Sequence, residues 1–200
     1  MRALDYLLEQ TIVYSLWQAP FAADKVAPIL AHNNIDQVRR VLDVGCGPGT
    51  NTHLFSKSDY LGVEMNPRYV EYARKKFNRR FVVADVTQYQ DDAGGNFDFV
   101  LLNSFLHHID LDSTNSVLHR VKKWLSPDGY MHIIELTSPG DHSIAQFLAD
   151  WDRGKFTRPL AEWREIFSQH LEIDIFEPFP VGLLGKPLWH FVYCRGKAKQ

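Results

Sequence analysis

Residues 41–51 read Val-Leu-Asp-Val-Gly-Cys-Gly-Pro-Gly-Thr-Asn, a short apolar run with one embedded acid, Asp43, that passes straight into glycines at 45, 47 and 49. A buried parallel strand that turns tightly into the next element has this form. Glycine takes positive φ without strain and lets a ligand approach bare backbone, so Gly45, Gly47 and Gly49 mark a ligand-facing loop. A matching acid follows 19 residues past Gly45: Glu64, closing Tyr60-Leu-Gly-Val-Glu64. At the end of a second strand such a carboxylate accepts two hydrogen bonds from a ribose diol. The pair of stretches predicts an adenosine-type ligand at the carboxyl edge of a parallel sheet.

A glycine loop alone is a weak signal, and a dinucleotide is its common occupant. The spacing here is G-x-G-x-G rather than G-x-G-x-x-G, and Pro48 sits inside the loop. Proline has no backbone N–H, so it removes a donor that a pyrophosphate would need. A nucleoside without phosphates loses nothing by that substitution.

Working outward, VLDVGCGPGT (41–50), YLGVEMNP (60–67), FVVADV (81–86), FDFVLLNSFLHHI (97–109) and LSPDGYMHIIEL (125–136) follow in order. In that order the sequence resembles the class I S-adenosylmethionine-dependent methyltransferases of Rossmann-like fold, over residues 38 to 136. The resemblance implies a doubly wound, mostly parallel α/β sheet of seven strands, with helices on both faces and an antiparallel last strand beside the fifth. It implies S-adenosylmethionine as cofactor and S-adenosylhomocysteine as product, and it leaves the acceptor open.

The resemblance also assigns roles. Glu64 takes the ribose, and Asp43 lies near the amino group of the methionyl moiety. Gly45, Cys46, Gly47 and Gly49 form the loop, with Cys46 in a packing or backbone role. Asp85 accepts from the exocyclic amine of adenine while the Val86 N–H meets a ring nitrogen; a plain helix cap is the alternative for Asp85. Met65 packs on the adenine face or is a core residue. Asn103 and Ser104 end the fourth strand facing the sulfonium, and Leu106 packs against the nucleoside. Tyr14 and Trp17 face the ligand or are ordinary core aromatics.

Composition narrows the class. Two hundred residues with 45% hydrophobic content suit one domain with a full core. Lys and Arg number 22 against 24 Asp and Glu, a net charge of −2, and no block of five or more like charges occurs. That gives no electrostatic reason to expect nucleic acid or an anionic membrane as partner, and favours a small-molecule acceptor. Cys46 and Cys194 suit a reducing, cytoplasmic setting. Asp5 and Glu9 spoil a signal peptide, and no run of 18 apolar residues exists to span a membrane.

The remaining elements follow from periodicity. Helical spacing runs over 3–18 and 22–32, a cap that the resemblance places over the cofactor end. Strands are expected at 40–44, 60–64, 80–84, 98–103 and 130–136, and helices at 50–57, 67–77 and 113–125, the last capped by Asp112 or Ser113. An apparent helix at 143–152, a helix at 160–169 and a strand pair at 171–177 and 188–195 complete one domain over 1–200. Residues 137–160 read as a lid. Within 141–163, Trp151, Arg153, Phe156, Arg158 and Trp163 suit a planar or anionic acceptor, or else a surface helix burying its tryptophans.

For chemistry, His107 and His108 are candidate bases, with His142 a rival. Adjacent residues project differently, so one of the pair at most faces the site. A base helps when a hydroxyl or ammonium must lose a proton. No H-x-x-x-H or H-E-x-x-H spacing occurs, and His132 and Glu135, three apart on a strand, point to opposite faces. No metal site is expected. Alternatives to methyl transfer onto a small molecule are a non-catalytic binder of the same ligands, a methyltransferase acting on protein or RNA with a partner, and a nicotinamide oxidoreductase that Pro48 disfavours.

Overall fold

The apolar runs pair into one seven-stranded sheet in a computed structural model that describes residues 21–89, 95–138, 156–183 and 186–199. The strands are β1 (Arg40–Val44), β2 (Asp59–Glu64), β3 (Arg80–Val83), β4 (Phe97–Asn103), β5 (Leu125–Leu136), β6 (Leu171–Leu183) and β7 (Lys186–Ala198). Their order is β3-β2-β1-β4-β5-β7-β6. β1 to β5 are parallel, and β7 inserts antiparallel between β5 and β6. Strand order reverses between β1 and β4, which opens a crevice above their carboxyl ends.

Alternation along the strands gives the sheet two apolar faces. Leu42, Val44, Val100, Leu102, Met131 and Ile133 face α3 (Leu111–Val121) and α4 (Leu160–His170), meeting Val117, Leu118, Val121, Trp163 and Phe167. Val41, Tyr60, Phe99, Leu101, Ile134 and Leu136 face the other way, against Ile29 of α1 (Ala22–His32) and Val70 and Ala73 of α2 (Pro67–Lys76). Both faces covered is the reason the parallel strands read as nearly unbroken apolar runs.

Several expectations shift. The α1 helix does not sit over the carboxyl edge as a cap. It starts there, with Phe21 edge-on to Trp189 at 5.1 Å. It then runs down the sheet face until the His32 carbonyl accepts from Arg195 at 2.9 Å. Instead of a helix at 50–57 there is one short 3-10 turn, Thr52–Phe55, because the chain must begin β2 at Asp59. Asp110, not Asp112 or Ser113, caps α3 by accepting from the Ser113 N–H at 2.8 Å. The α2 helix starts as read, with Pro67 in its first turn and the Asn66 side chain accepting from Arg68 N–H. The expected helices at 3–18 and 143–152, with Tyr14, Trp17, His142, Trp151 and Arg153, lie outside the described residues.

Candidate cofactor site at the sheet switch point

All three loop glycines adopt positive φ: +67° at Gly45, +54° at Gly47 and +82° at Gly49. They differ in what surrounds them. A Cβ on Gly45 would come within 2.7 Å of the Phe105 ring, so this glycine is needed for packing. A Cβ on Gly47 would meet nothing within 4 Å, so this is the point where the loop backbone faces open space.

The loop's N–H groups are spent inside the protein. Gly45 and Cys46 donate to the Val63 carbonyl at 2.8 and 3.2 Å, and Gly49 donates to the Cys46 carbonyl at 3.0 Å. Gly47 donates to Glu64 Oε2 at 3.1 Å, and Pro48 has no N–H. A pyrophosphate would find no donor in residues 45–49. The Cys46 side chain is buried in the core beneath Gly62, so its role is packing.

Glu64 ends β2 with its second oxygen accepting from the Asn66 N–H at 2.8 Å. Each carboxylate oxygen thus has one backbone donor and a further lone pair. The two N–H bonds fix the carboxylate at the mouth of the crevice. Met65 beside it is 70% exposed, and Val83 at the end of β3 is exposed as well, so Met65 is not a core methionine.

Below the loop lies a buried polar chain that spans the switch point. Asp43 Oδ2 accepts from Tyr60 Oη at 2.7 Å and from Asn51 Nδ2 at 3.2 Å. Asn51 Oδ1 in turn accepts from Asn103 Nδ2 at 3.1 Å, and Asn103 Oδ1 accepts from the Ser104 hydroxyl at 3.3 Å. Asp43 is fully buried, and among the described residues its Oδ1 has no hydrogen-bond partner. Burial raises its pKa to about 6, above the usual carboxylate range, and the Tyr60 and Asn51 bonds only partly oppose this. Ser104 leaves the strand at φ +55°, with its N–H on the Ile134 carbonyl.

Asp85 follows β3 and uses Oδ1 to accept from both the N–H and the hydroxyl of Thr87, at 2.8 and 2.7 Å, which is the geometry of a turn cap. Val86 sends its side chain into the core. Leu106, expected against the ligand, is likewise fully buried in the core cluster.

The two histidines part as anticipated: His107 is 1% exposed, while His108 faces solvent with its ring 4.1 Å from that of His107. His107 Nδ1 lies 2.6 Å from Glu135 Oε2, a fully buried carboxylate near the end of β5. Glu135 was not among the expected site residues. Its signal was present: an acid inside His132-Ile-Ile-Glu-Leu136 needs a partner for the same reason as Asp43. Asn51 and Tyr60 left no such signal, because their partner lies 8 and 17 residues away across the loop.

Of the aromatic and basic residues expected to wall an acceptor, Phe156 is exposed and its N–H reaches the His107 carbonyl at 3.1 Å. Arg158 is consumed structurally. It donates to the Phe156 and Ile109 carbonyls, pairs with Glu162 at 3.2 Å and lies over the Trp163 ring. Trp163 is a core residue whose Nε1 donates to the Leu136 carbonyl at 3.0 Å. Among the described residues no three His, Cys, Asp or Glu side chains group to hold a metal ion, and no helix is long and apolar enough to cross a membrane.

Residues 41–129 match the family model described as a methyltransferase domain. Trans-aconitate 2-methyltransferase of Enterobacter sp. (strain 638) is 32% identical over 58% of this chain and 43% of its own length. The chain spans less than half the length of that relative. The solved structure of an S-adenosylmethionine-dependent methyltransferase from Methanosarcina mazei superposes with a TM-score of 0.70 at 18% identity, covering 87% of this chain and 98% of the other. The N-methyltransferase NodS from Bradyrhizobium japonicum WM9, in complex with S-adenosylhomocysteine, gives a TM-score of 0.67 at 14% identity over 90% and 86%. These last two likenesses are of fold. Residues 41–129 thus carry a methyltransferase domain, and the motif order, the switch-point crevice and the overall fold resemble those of the class I, Rossmann-like S-adenosylmethionine-dependent methyltransferases.

Proposed function

We propose that this chain transfers a methyl group from S-adenosylmethionine to a small-molecule acceptor, chiefly by holding the two in line in a site closed to water. The observation that carries the reading is the Asp43 carboxylate, fully buried at the switch point with Oδ1 unpartnered among the described residues, beneath a loop whose N–H groups are already spent. A buried carboxylate oxygen without a partner suits an ammonium group, and a loop without spare donors suits a nucleoside lacking phosphates.

In this reading Asp43 receives the amino group of the methionyl moiety and Glu64 takes the ribose hydroxyls. Gly47 lets the ligand lie against the backbone. Met65 covers the adenine, whose exocyclic amine meets the second oxygen of Asp85 and whose ring nitrogen meets the Val86 N–H. Asn103 and Ser104 border the sulfonium. When bound, the cofactor supplies a methyl group already activated on sulfur, so alignment is the main task left to the protein. Alignment of that kind is worth roughly 7–11 kcal/mol of barrier. The acceptor enters past His108 and Phe156. The named relative's small substrate and the net charge of −2 support a small acceptor over nucleic acid. The two buried free cysteines, Cys46 and Cys194, support a reducing cytoplasmic setting.

Thermal unfolding with S-adenosylmethionine, S-adenosylhomocysteine and NAD in parallel tests the cofactor. At about 100 times Kd a ligand adds roughly 2.7 kcal/mol, which raises Tm by about 5–10 °C in a chain of this size. Both adenosyl ligands are expected to shift Tm and NAD to leave it unchanged; a shift with NAD alone overturns the reading. Transfer of labelled methyl to a panel of small acceptors then tests catalysis.

The glycines give a second, internal test. Gly47→Ala adds only backbone strain of about 1–2 kcal/mol and a methyl in the ligand's space. It is expected to lower Tm by a few degrees and weaken S-adenosylhomocysteine binding at least tenfold. Gly45→Ala adds the clash with Phe105, an overpacking of about 1–3 kcal/mol more, so its main effect falls on Tm. Equal losses of Tm and affinity in both variants would contradict the assignment of Gly47 to the ligand face.

A further inference from the structure

The turn that follows β4 is held by a carboxylate from the neighbouring strand. Glu135 Oε1 accepts from the N–H groups of Phe105 at 2.8 Å and Leu106 at 2.6 Å, while Oε2 meets His107 Nδ1 at 2.6 Å. Burial alone would raise its pKa, but the His107 ring and the two backbone donors outweigh burial and hold the carboxyl below its ordinary value. An ionised carboxylate only accepts, so the proton between them belongs to Nδ1. When the ring carries one proton, the partner thereby fixes the tautomer and leaves Nε2 as a bare acceptor.

Among the described residues that nitrogen has no hydrogen-bond partner, and it is enclosed. An enclosed polar atom left without a partner is destabilising, and such atoms in native proteins mark places reserved for a ligand or for chemistry. His107 belongs to the short turn Leu106–His108 that follows Asn103 and Ser104 at the carboxyl end of β4. The charged and titratable groups around it are Glu135 from β5, His108 on its own turn, and Arg158, which bonds to the Ile109 carbonyl and is itself flanked by Asp110 and Glu162.

We propose that Glu135 is a positioning residue that fixes His107 with Nε2 bare, and that Nε2 takes the proton of the methyl acceptor. The acceptor is then one that must lose a proton, a hydroxyl or an ammonium, rather than a carboxylate already ionised or a thioether. The proton passes from the nucleophilic atom to Nε2, and that atom's lone pair forms the bond to the methyl carbon. The carbon–sulfur bond breaks with its electron pair going to sulfur, which becomes a neutral thioether. The resulting imidazolium is stabilised by the Glu135 carboxylate, so no further acid or base is required.

This inference rests on the methyltransferase reading, and the two fail separately. Binding of S-adenosylhomocysteine tests the reading. With that ligand bound, nitrogen NMR of labelled histidines tests the inference: at pH 8 His107 is expected to show Nδ1 protonated and Nε2 bare in the wild type, and a mixture of tautomers in Glu135→Gln. A His107 Nε2 protonated throughout pH 6–9 overturns the proposal while leaving the reading intact. Labelled methyl transfer to catechol, benzylamine and citrate supplies the second readout. Catechol or benzylamine is expected to be methylated, with kcat rising to a plateau as pH increases. In Glu135→Gln, kcat is expected to fall at least tenfold with KM for the donor within about twofold, and in His107→Gln about 10²–10⁴-fold. Preference for citrate, or an unchanged kcat and pH profile in Glu135→Gln, overturns it. If Glu135→Gln does not fold, His107→Gln carries the kinetic test, and if no panel member is methylated the NMR result decides.

Discussion

Asp43→Asn is expected to stabilise the ligand-free protein at pH 8, raising Tm by about 3–6 °C, while weakening S-adenosylhomocysteine binding about a hundredfold. The two effects come from one cause. Asp43 is fully buried, with Oδ1 unpartnered among the described residues and its pKa raised from 3.8 to about 6. A carboxyl that binds its proton more tightly in the folded than in the unfolded chain makes stability fall as pH rises between those two values. Stability is complete below about pH 4 and lost through about pH 6, and above that the charged form costs on the order of 3 kcal/mol. Asn removes the charge and keeps an acceptor for Tyr60 and Asn51, although its own amide then lacks a partner, so only part of that cost is recovered. The pH dependence is the decisive feature. Melting curves of the two proteins are expected to separate above pH 6 and to converge below pH 4. A gap that does not change with pH would mean that Asp43 is not charged in the folded protein, and its role as an ammonium receptor would fall with it.

This strained acid was legible in the sequence because position 43 breaks an apolar run and is followed at once by glycines. Glu64 was legible for its place at the end of the second run. Those two features, with the parallel-strand pattern, point to the carboxyl edge where the crevice lies. The pairing that completes the site was not legible. Tyr60 reads as one more apolar strand residue, and Asn51 as a loop residue; only the parallel pairing of β1 with β2, and the path of the loop between them, bring both onto Asp43. Glu135 carried the same signal as Asp43 but lacked a glycine loop to draw notice. The hairpin was underestimated for a different reason. Pro178, Pro180 and Gly182 fall beyond the strand expected at 171–177, yet β6 runs through them to Leu183 because it is the edge strand, where a missing N–H is tolerated on the unpaired side.

In the proposed function both carboxylates at the crevice serve the fold and the ligand at once, and this makes Glu64 the sharper test of the site. Glu64→Ala removes the acceptor for Gly47 and Asn66 N–H and, in the proposed function, for both ribose hydroxyls. Each charge-assisted bond to the ribose is worth roughly 1.5–3 kcal/mol, so losing two is expected to weaken S-adenosylhomocysteine binding by about 10²–10⁴-fold. The freed N–H groups sit at a partly exposed loop and find water, so Tm is expected to fall by only a few degrees. Glu64→Gln separates the roles. Its one remaining acceptor oxygen holds either the loop or one hydroxyl, and its NH₂ donates where an acceptor is needed, so affinity is expected to lie nearer to Ala than to the wild type. Adenine alone avoids the ribose altogether, and its affinity is expected to change less than threefold in either variant. Titration calorimetry with S-adenosylhomocysteine and adenine on the three proteins checks all of this. Equal loss of both ligands would mean that Glu64 shapes the crevice through Gly47 without touching the ribose; unchanged affinity for both would remove it from the site.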